Sequence, residues 1–111
     1  MADCIFCKII AGEIPSKPVF EDDRIVAFED VAPQAPHHVL VVPRTHFADL
    51  HEAAQDPRLL GDLLARSSAI ARERGLTDYR VVVNTGREAG QSVFHLHLHV
   101  LGGRRMTWPP G

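Results

Sequence analysis

Three histidines alternate with apolar residues near the end of the chain, in the segment from His95 to His99. In an extended strand, alternate side chains point to opposite faces, so the imidazoles would share one face and the leucines the other. A neutral imidazole is a good nucleophile near neutral pH, because its pKa is about 6.5. The pattern indicates nucleophilic chemistry. A solvated polar face and a zinc site made from all three histidines are the alternatives.

Two cysteines, Cys4 and Cys7, lie three residues apart at the other end of the chain. A redox pair of this spacing would need a thioredoxin-like βαβ pattern, which is absent here. A zinc site needs two further ligands, and His46 and His95 would complete a Cys2His2 tetrahedron. Two small buried thiols are the alternative.

The residues around these motifs resemble one family. The segment His95–Val100 matches the histidine-triad motif, His-x-His-x-His with apolar residues between the histidines. Two segments resemble those of the purine nucleoside phosphoramidase branch of the histidine-triad nucleotide-binding proteins: Gly90-Gln91-Ser92 and the tail Trp108–Gly111. Further similar segments are Ile5-Phe6, Glu13-Ile14-Pro15, Phe20–Asp23 and Pro33–Pro36. The resemblance covers residues 3–111 and implies a homodimer that binds purine nucleotide conjugates.

Catalytic roles follow from this resemblance for His97, His99, His38 and Ser92. His97 would attack the phosphorus of a nucleoside monophosphate conjugate and form an intermediate that water hydrolyses. Its other ring nitrogen should donate to a backbone carbonyl, which fixes the tautomer. The other three would contact the phosphate or the departing group. His38 could instead be a polar residue at a strand end, and Ser92 an ordinary loop residue.

A nucleotide pocket is also implied by the resemblance. Asp30 can accept hydrogen bonds from both ribose hydroxyls, since a carboxylate offers two oxygens. It could also be a turn residue, and the apolar positions could belong to the core. The predicted nucleotide-binding residues are Phe6, Phe28, Asp30, Val31, Asn84, Gly90, Gln91, Ser92, His97 and His99.

Zinc is favoured over buried thiols by the same resemblance. Several bacterial members of the family, and the related uridylyltransferases, resemble this chain in its cysteine and histidine positions. The predicted ligands of Zn²⁺ are Cys4, Cys7, His46 and His95. Family members without the second cysteine imply that no metal is required at the reacting phosphorus.

Hydrophobic patterning predicts the elements that position these residues. A short helix is expected over residues 4–11, and Asp56-Pro57 with the following leucines predicts a long helix that ends near Gly75. Strands are predicted at residues 19–21, 25–28, 39–42, 79–83 and 94–101. We therefore expect one α+β domain over residues 1–111. Its mainly antiparallel five-stranded sheet would carry one long and one short helix and join a partner's sheet in a homodimer. An irregular tail, residues 104–111, would contact that partner.

The composition of the chain argues against nucleic-acid-binding and membrane proteins. The chain has 111 residues, of which 45% are hydrophobic and 23% charged, as in an ordinary globular domain. A net charge of −2 gives no electrostatic reason to bind nucleic acid. No apolar run approaches the roughly 20 residues of a membrane helix. Met1–Cys4 shows no signal-peptide pattern, so we expect a cytoplasmic protein with no membrane partner.

The predicted activity is cleavage of the P–N bond in AMP–amine conjugates through an adenylyl-His97 intermediate. A dinucleoside polyphosphate hydrolase and a non-catalytic nucleotide-binding scaffold are the two rivals. The Trp-Pro-Pro-Gly tail argues against the first. An intact row of histidines argues against the second, because a pure binder has no need of a nucleophile.

Overall fold

The computed structural model describes residues 3–111 and contains one five-stranded antiparallel sheet. The strands are β1 (Pro18–Glu21), β2 (Ile25–Glu29), β3 (His37–Pro43), β4 (Tyr79–Val82) and β5 (Leu98–Gly102). The helices are α1 (Ile5–Ile10), α2 (Leu50–Ala53) and α3 (Pro57–Glu73), with a 3-10 turn at Arg87–Ala89. The predicted α+β class, sheet and long helix are confirmed. What was predicted for Met1 and Ala2 lies outside the described residues.

The histidine-bearing strand β5 lies inside the sheet, whose strand order is β1-β2-β3-β5-β4. Its two neighbours, β3 and β4, both run antiparallel to it. His99 is therefore flanked by Leu40 on one side and by Val82 on the other. A side chain on a central strand is held from both sides, which makes β5 a rigid base for the histidines.

Helix α3 covers one face of the sheet. Asp56 caps it by accepting a hydrogen bond from the Leu59 N–H at 3.1 Å, and Pro57 occupies the first turn, where a missing N–H costs nothing. The buried α3 residues Leu59, Leu63 and Ile70 belong to one apolar cluster with Leu96, Leu98 and Val100. The alternating histidines therefore face away from α3.

Helix α1 packs on the opposite face. A second apolar cluster there joins Phe6 of α1 to Phe28 and Leu40 of the sheet. The Phe6 and Phe28 rings meet edge to face, with 5.5 Å between their centroids. The histidines therefore point into the space between α1 and the sheet.

Two sequence predictions need correction. Strand β5 begins at Leu98 rather than at Phe94, because the Leu96 N–H donates to the Phe47 carbonyl at 2.7 Å instead of to a neighbouring strand. Helix α2 was not predicted, although Asp49 caps its start by accepting a hydrogen bond from the Glu52 N–H, and Glu52 accepts one from the Ala48 N–H just before the cap. None of the helices in residues 3–111 has both the length and the apolar character that crossing a membrane requires.

Candidate functional site

His97 is held as a neutral imidazole with one defined tautomer. Its Nδ1 lies 2.8 Å from the carbonyl oxygen of His95, so Nδ1 carries the proton and donates it, as predicted. The Phe6 ring packs edge to face against the imidazole of His97, with 5.0 Å between the two ring centroids, and holds the imidazole plane. Burial lowers the pKa of His97 below 6.5, against the opposing effects of that carbonyl and of Asp30. Its Nε2 lone pair is therefore free to attack an electrophile at neutral pH.

His38 and His99 form a hydrogen-bonded pair beside His97. The Gln34 N–H donates to His38 Nδ1 at 2.9 Å, so a neutral His38 carries its proton on Nε2. That nitrogen lies 2.9 Å from His99 Nδ1, which must accept. His99 is then left with a proton on its own Nε2. The pair can therefore donate a hydrogen bond, through His99 Nε2, to a group next to His97.

The same two imidazoles are neutral at pH 7. Burial lowers the pKa of His38, and Asp30 opposes this effect only in part. Burial, together with the neighbouring His97 and His38, lowers the pKa of His99 to about 4. A neutral His99 donates through Nε2 without adding a positive charge next to the nucleophile.

Asp30 completes this group without making it a metal site. Its Oδ2 is 3.3 Å from His38 Nε2, and its Oδ1 accepts from the Ala32 N–H at 2.8 Å. Asp30, His38 and His99 are close enough to hold an ion. However, Nδ1 of His38 already accepts a hydrogen bond from the Gln34 N–H and so carries no proton. A metal bound to Nε2 would therefore leave the ring with no proton on either nitrogen. We therefore interpret the group as a hydrogen-bond network.

The histidines open onto a cavity of about 270 Å³. Apolar residues of α1 and the sheet contribute to its wall. Seven of the predicted residues line it: Phe6, Phe28, Asp30, Val31, Ser92, His97 and His99. His38 instead lines an adjoining pocket that shares Asp30 and Val31 with this cavity.

The remaining predicted residues lie in the loop that precedes β5. Gly90 has φ +98°, a conformation that L side chains rarely adopt, and the Asn84 amide packs against the space where its Cβ would be. The Gln91 side chain turns inward and is only 3% exposed. Asn84, Gly90 and Gln91 do not line the cavity, and their predicted contact with a nucleotide stays a prediction.

Cys4, Cys7, His46 and His95 converge on a second centre. The Cys7 Sγ lies 3.4 Å from His46 Nδ1 and 3.5 Å from His95 Nδ1, and the two nitrogens are 3.2 Å apart. A tetrahedral zinc with Zn–S of about 2.3 Å and Zn–N of about 2.05 Å would have S···N edges of about 3.5 Å and N···N edges of about 3.3 Å. These distances, together with the 3.4 Å between Cys4 Sγ and His95 Nδ1, fit a zinc site.

The surroundings of this cluster also suit a cation. His95 donates from Nε2 to the Pro43 carbonyl at 2.8 Å, so its Nδ1 presents a lone pair to the thiols. The Cys7 N–H donates to the Cys4 sulfur at 3.3 Å. Burial raises the pKa of the Cys7 thiol, and a bound zinc ion would reverse this effect by stabilising the thiolate.

Comparison with known proteins gives one consistent result. The model of the HIT domain family matches residues 11–106. An uncharacterized HIT-like protein of Synechococcus elongatus is 57% identical over 111 residues, covering 98% of this chain and 97% of that protein. The 14 kDa zinc-binding protein of Zea mays is 48% identical, covering 96% of this chain and 87% of that protein. The crystal structure of a HIT family hydrolase from Legionella pneumophila superposes with a TM-score of 0.94 at 49% identity, covering 98% of this chain and 100% of that one.

Proposed function

The chain belongs to the histidine-triad (HIT) domain family, and from that premise we propose that it hydrolyses purine nucleoside 5′-phosphoramidates through a nucleotidyl-His97 intermediate. The observation that carries the proposal is the hydrogen bond from His97 Nδ1 to the His95 carbonyl, which leaves Nε2 as a free nucleophile. The Legionella relative is called a hydrolase, which supports the reaction class.

The proposed reaction has two displacements at phosphorus. His97 Nε2 attacks, the P–N bond to the amine breaks, and the amine leaves with a proton from His99 Nε2 or from the Ser92 hydroxyl. Water then attacks the same phosphorus, the P–N bond to His97 breaks, and the proton that the water loses returns to the group that protonated the amine. Asp30 would bind the ribose, and the wall that contains Phe6 and Phe28 would hold the purine. The proposed substrates are AMP conjugates of amines.

Zinc bound by Cys4, Cys7, His46 and His95 would have a structural role. The maize relative is called zinc-binding, and the four ligand atoms here all lie within 4.8 Å of one another. Such an ion would tie α1, and with it Phe6, to the segment that precedes β5. Thiolate ligands persist in a reducing compartment, so we propose a cytoplasmic location.

We also propose a homodimer in which two sheets join at β4. The edge at β1 is blunted, because it starts at Pro18 and its register shifts between Pro18 and Phe20. The other edge, β4, has no proline and no register shift. Trp108 is 81% exposed in the single chain, so the irregular tail has an apolar side chain available for a partner.

Trapping the intermediate tests the proposed function. Rapid quench during turnover of an AMP–amine conjugate should capture an acid-labile AMP adduct on His97. His97→Ala should lower kcat by several orders of magnitude and still bind AMP, whereas His51→Ala, at an exposed position, should behave as wild type. A chiral substrate should show retention at phosphorus, since two displacements invert twice. Inversion, near-normal turnover by His97→Ala, or cleavage of diadenosine tetraphosphate alone would contradict the proposal.

A further inference from the structure

Gln91 uses its whole side-chain amide to join three backbone segments. Its Nε2 donates to the carbonyls of Ala48 at 2.8 Å and Val93 at 3.1 Å, and its Oε1 accepts from the Gly86 N–H at 2.9 Å. The side chain is 3% exposed. Buried polar groups that are fully paired in this way resist displacement, because breaking the bonds would leave unpaired atoms out of reach of water.

One of the segments that Gln91 joins lines the cavity. Ser92 follows Gln91 directly, and both Ser92 and Val93 line the cavity with His97. The Gln91 N–H also donates to the Gly86 carbonyl at 3.0 Å, which closes the loop on itself. Ala48 follows the metal-cluster residue His46 by two positions. Through its bond to Ala48, Gln91 therefore connects the loop to the segment that carries His46, one of the four residues of the cysteine–histidine cluster.

Ser92 depends on these backbone contacts for its position. Its side chain is exposed, so packing does little to hold the hydroxyl in place. On one side of Ser92, the backbone N–H of Gln91 donates to the Gly86 carbonyl. On the other side, the side-chain amide of Gln91 donates to the Val93 carbonyl. A reacting group that moves by about 1 Å can lose about 100-fold in rate.

We propose that Gln91 is a positioning residue that sets the Ser92 hydroxyl relative to His97. The inference rests on the proposed function, because it assumes that Ser92 contacts the phosphate or the departing amine. Gln91 acts through the loop and does not touch the nucleotide. Its loss should therefore lower kcat more than it raises KM, since the purine and ribose contacts lie elsewhere in the cavity.

A double-mutant cycle tests this assignment. Gln91→Met keeps the side-chain length and removes all three hydrogen bonds, and Gln55→Met makes the same change at an exposed turn position as a control. Gln91→Met should lower kcat by about 10- to 100-fold with little change in KM. In a Ser92→Ala background the same change should have little further effect, because the group that it positions is gone. Losses that multiply, or a loss confined to KM, would overturn the assignment.

A second variant and a second readout cover poor folding and an unexpected substrate. Gln91→Asn is one carbon shorter and cannot span the three segments, so its Gly86 amide proton should exchange faster in NMR than in wild type. The Ser92 amide shift on adding AMP should also shrink. These two signals need no turnover, so they still decide the role of Gln91 if the wild-type chain cleaves no phosphoramidate and the proposed function fails. Unchanged exchange and an unchanged AMP response would refute the positioning role.

Discussion

Removing zinc should destabilise the protein without abolishing turnover. The predicted ligands sit on separate parts of the chain: Cys4 and Cys7 at the start of α1, His46 after β3, and His95 before β5. A zinc ion bound by them would hold three segments together. Turnover should remain measurable, because His97 takes its fixed tautomer from the backbone carbonyl of His95 and not from the ligating ring.

The size of the effect follows from mass action. The ligand atoms of Cys7, His46 and His95 already have the spacing of a tetrahedral site, so little of the binding energy is needed to rearrange them. At free zinc of about 1,000 times Kd, binding to the folded state alone stabilises by about 4 kcal/mol. A domain of about 100 residues loses at least about 4 °C in Tm for each kcal/mol, so stripping the metal should lower Tm by roughly 15 °C.

The assay combines metal analysis with thermal unfolding. Untagged protein expressed with zinc should contain close to one equivalent per chain, and a strong chelator should lower its Tm. Cys7→Ala should begin at the lower Tm and show no further response to the chelator, whereas Asp23→Ala, at an exposed turn residue, should respond as wild type does. A metal content near zero, or a Tm that the chelator leaves unchanged, would refute the site and leave His95 with a purely hydrogen-bonding role.

Three further predictions concern the tail, the first hairpin and the buried imidazoles. Deleting residues 107–111 should change selectivity across a panel of AMP–amine conjugates more than it changes Tm, because Trp108 is exposed in the single chain. Asp22→Ala should cost about 1 kcal/mol in urea unfolding at pH 7, and Asp23→Ala much less, because Asp22 accepts two backbone N–H bonds. The Arg24 N–H holds the pKa of Asp22 below 3.8, so this stability is present above pH 4 and is lost as pH falls through the lowered pKa. The pKa of His99 is about 4, against 6.5 in an unfolded chain, so unfolding titrations should show stability declining as pH falls from 6.5 toward 4, and His99→Gln should flatten that decline.

Local signals in the sequence were sufficient to predict those elements whose ends are fixed by interactions between residues close in sequence. Asp56 and Pro57 mark the start of α3 because a capping carboxylate and a proline act within one turn. The alternation around His97 predicts which side chains face α3, since Leu96, Leu98 and Val100 all join the cluster beneath that helix. The pattern remained valid even where the strand itself begins late.

The start of β5 and the orientation of the Gln91 side chain could not be predicted, because a long-range hydrogen bond decides each of them. The start of β5 depends on the bond from Leu96 to Phe47, which lies 49 positions earlier in the chain. The inward turn of Gln91 depends on the Ala48 carbonyl, 43 positions away. The sequence around Leu96 and Gln91 gives no indication of these distant hydrogen-bond partners. A glycine-rich loop before the histidines therefore indicated a phosphate site, but the spacing could not show which of its side chains face the cavity.

The roles of the individual histidines are set by the ring nitrogen that does not react. His97 donates Nδ1–H to a carbonyl, which makes Nε2 a nucleophile. His95 donates Nε2–H to the Pro43 carbonyl, which leaves a lone pair on Nδ1 for the proposed metal. His38 accepts at Nδ1 from the Gln34 N–H, which makes Nε2 a donor to His99. In each case the partner of the non-reacting nitrogen is a backbone group, whose position belongs to the fold and not to a side chain. Identical residue types in a regular pattern can thus perform different chemistry, and the spacing of the histidines alone could predict that they act together but not what each of them does.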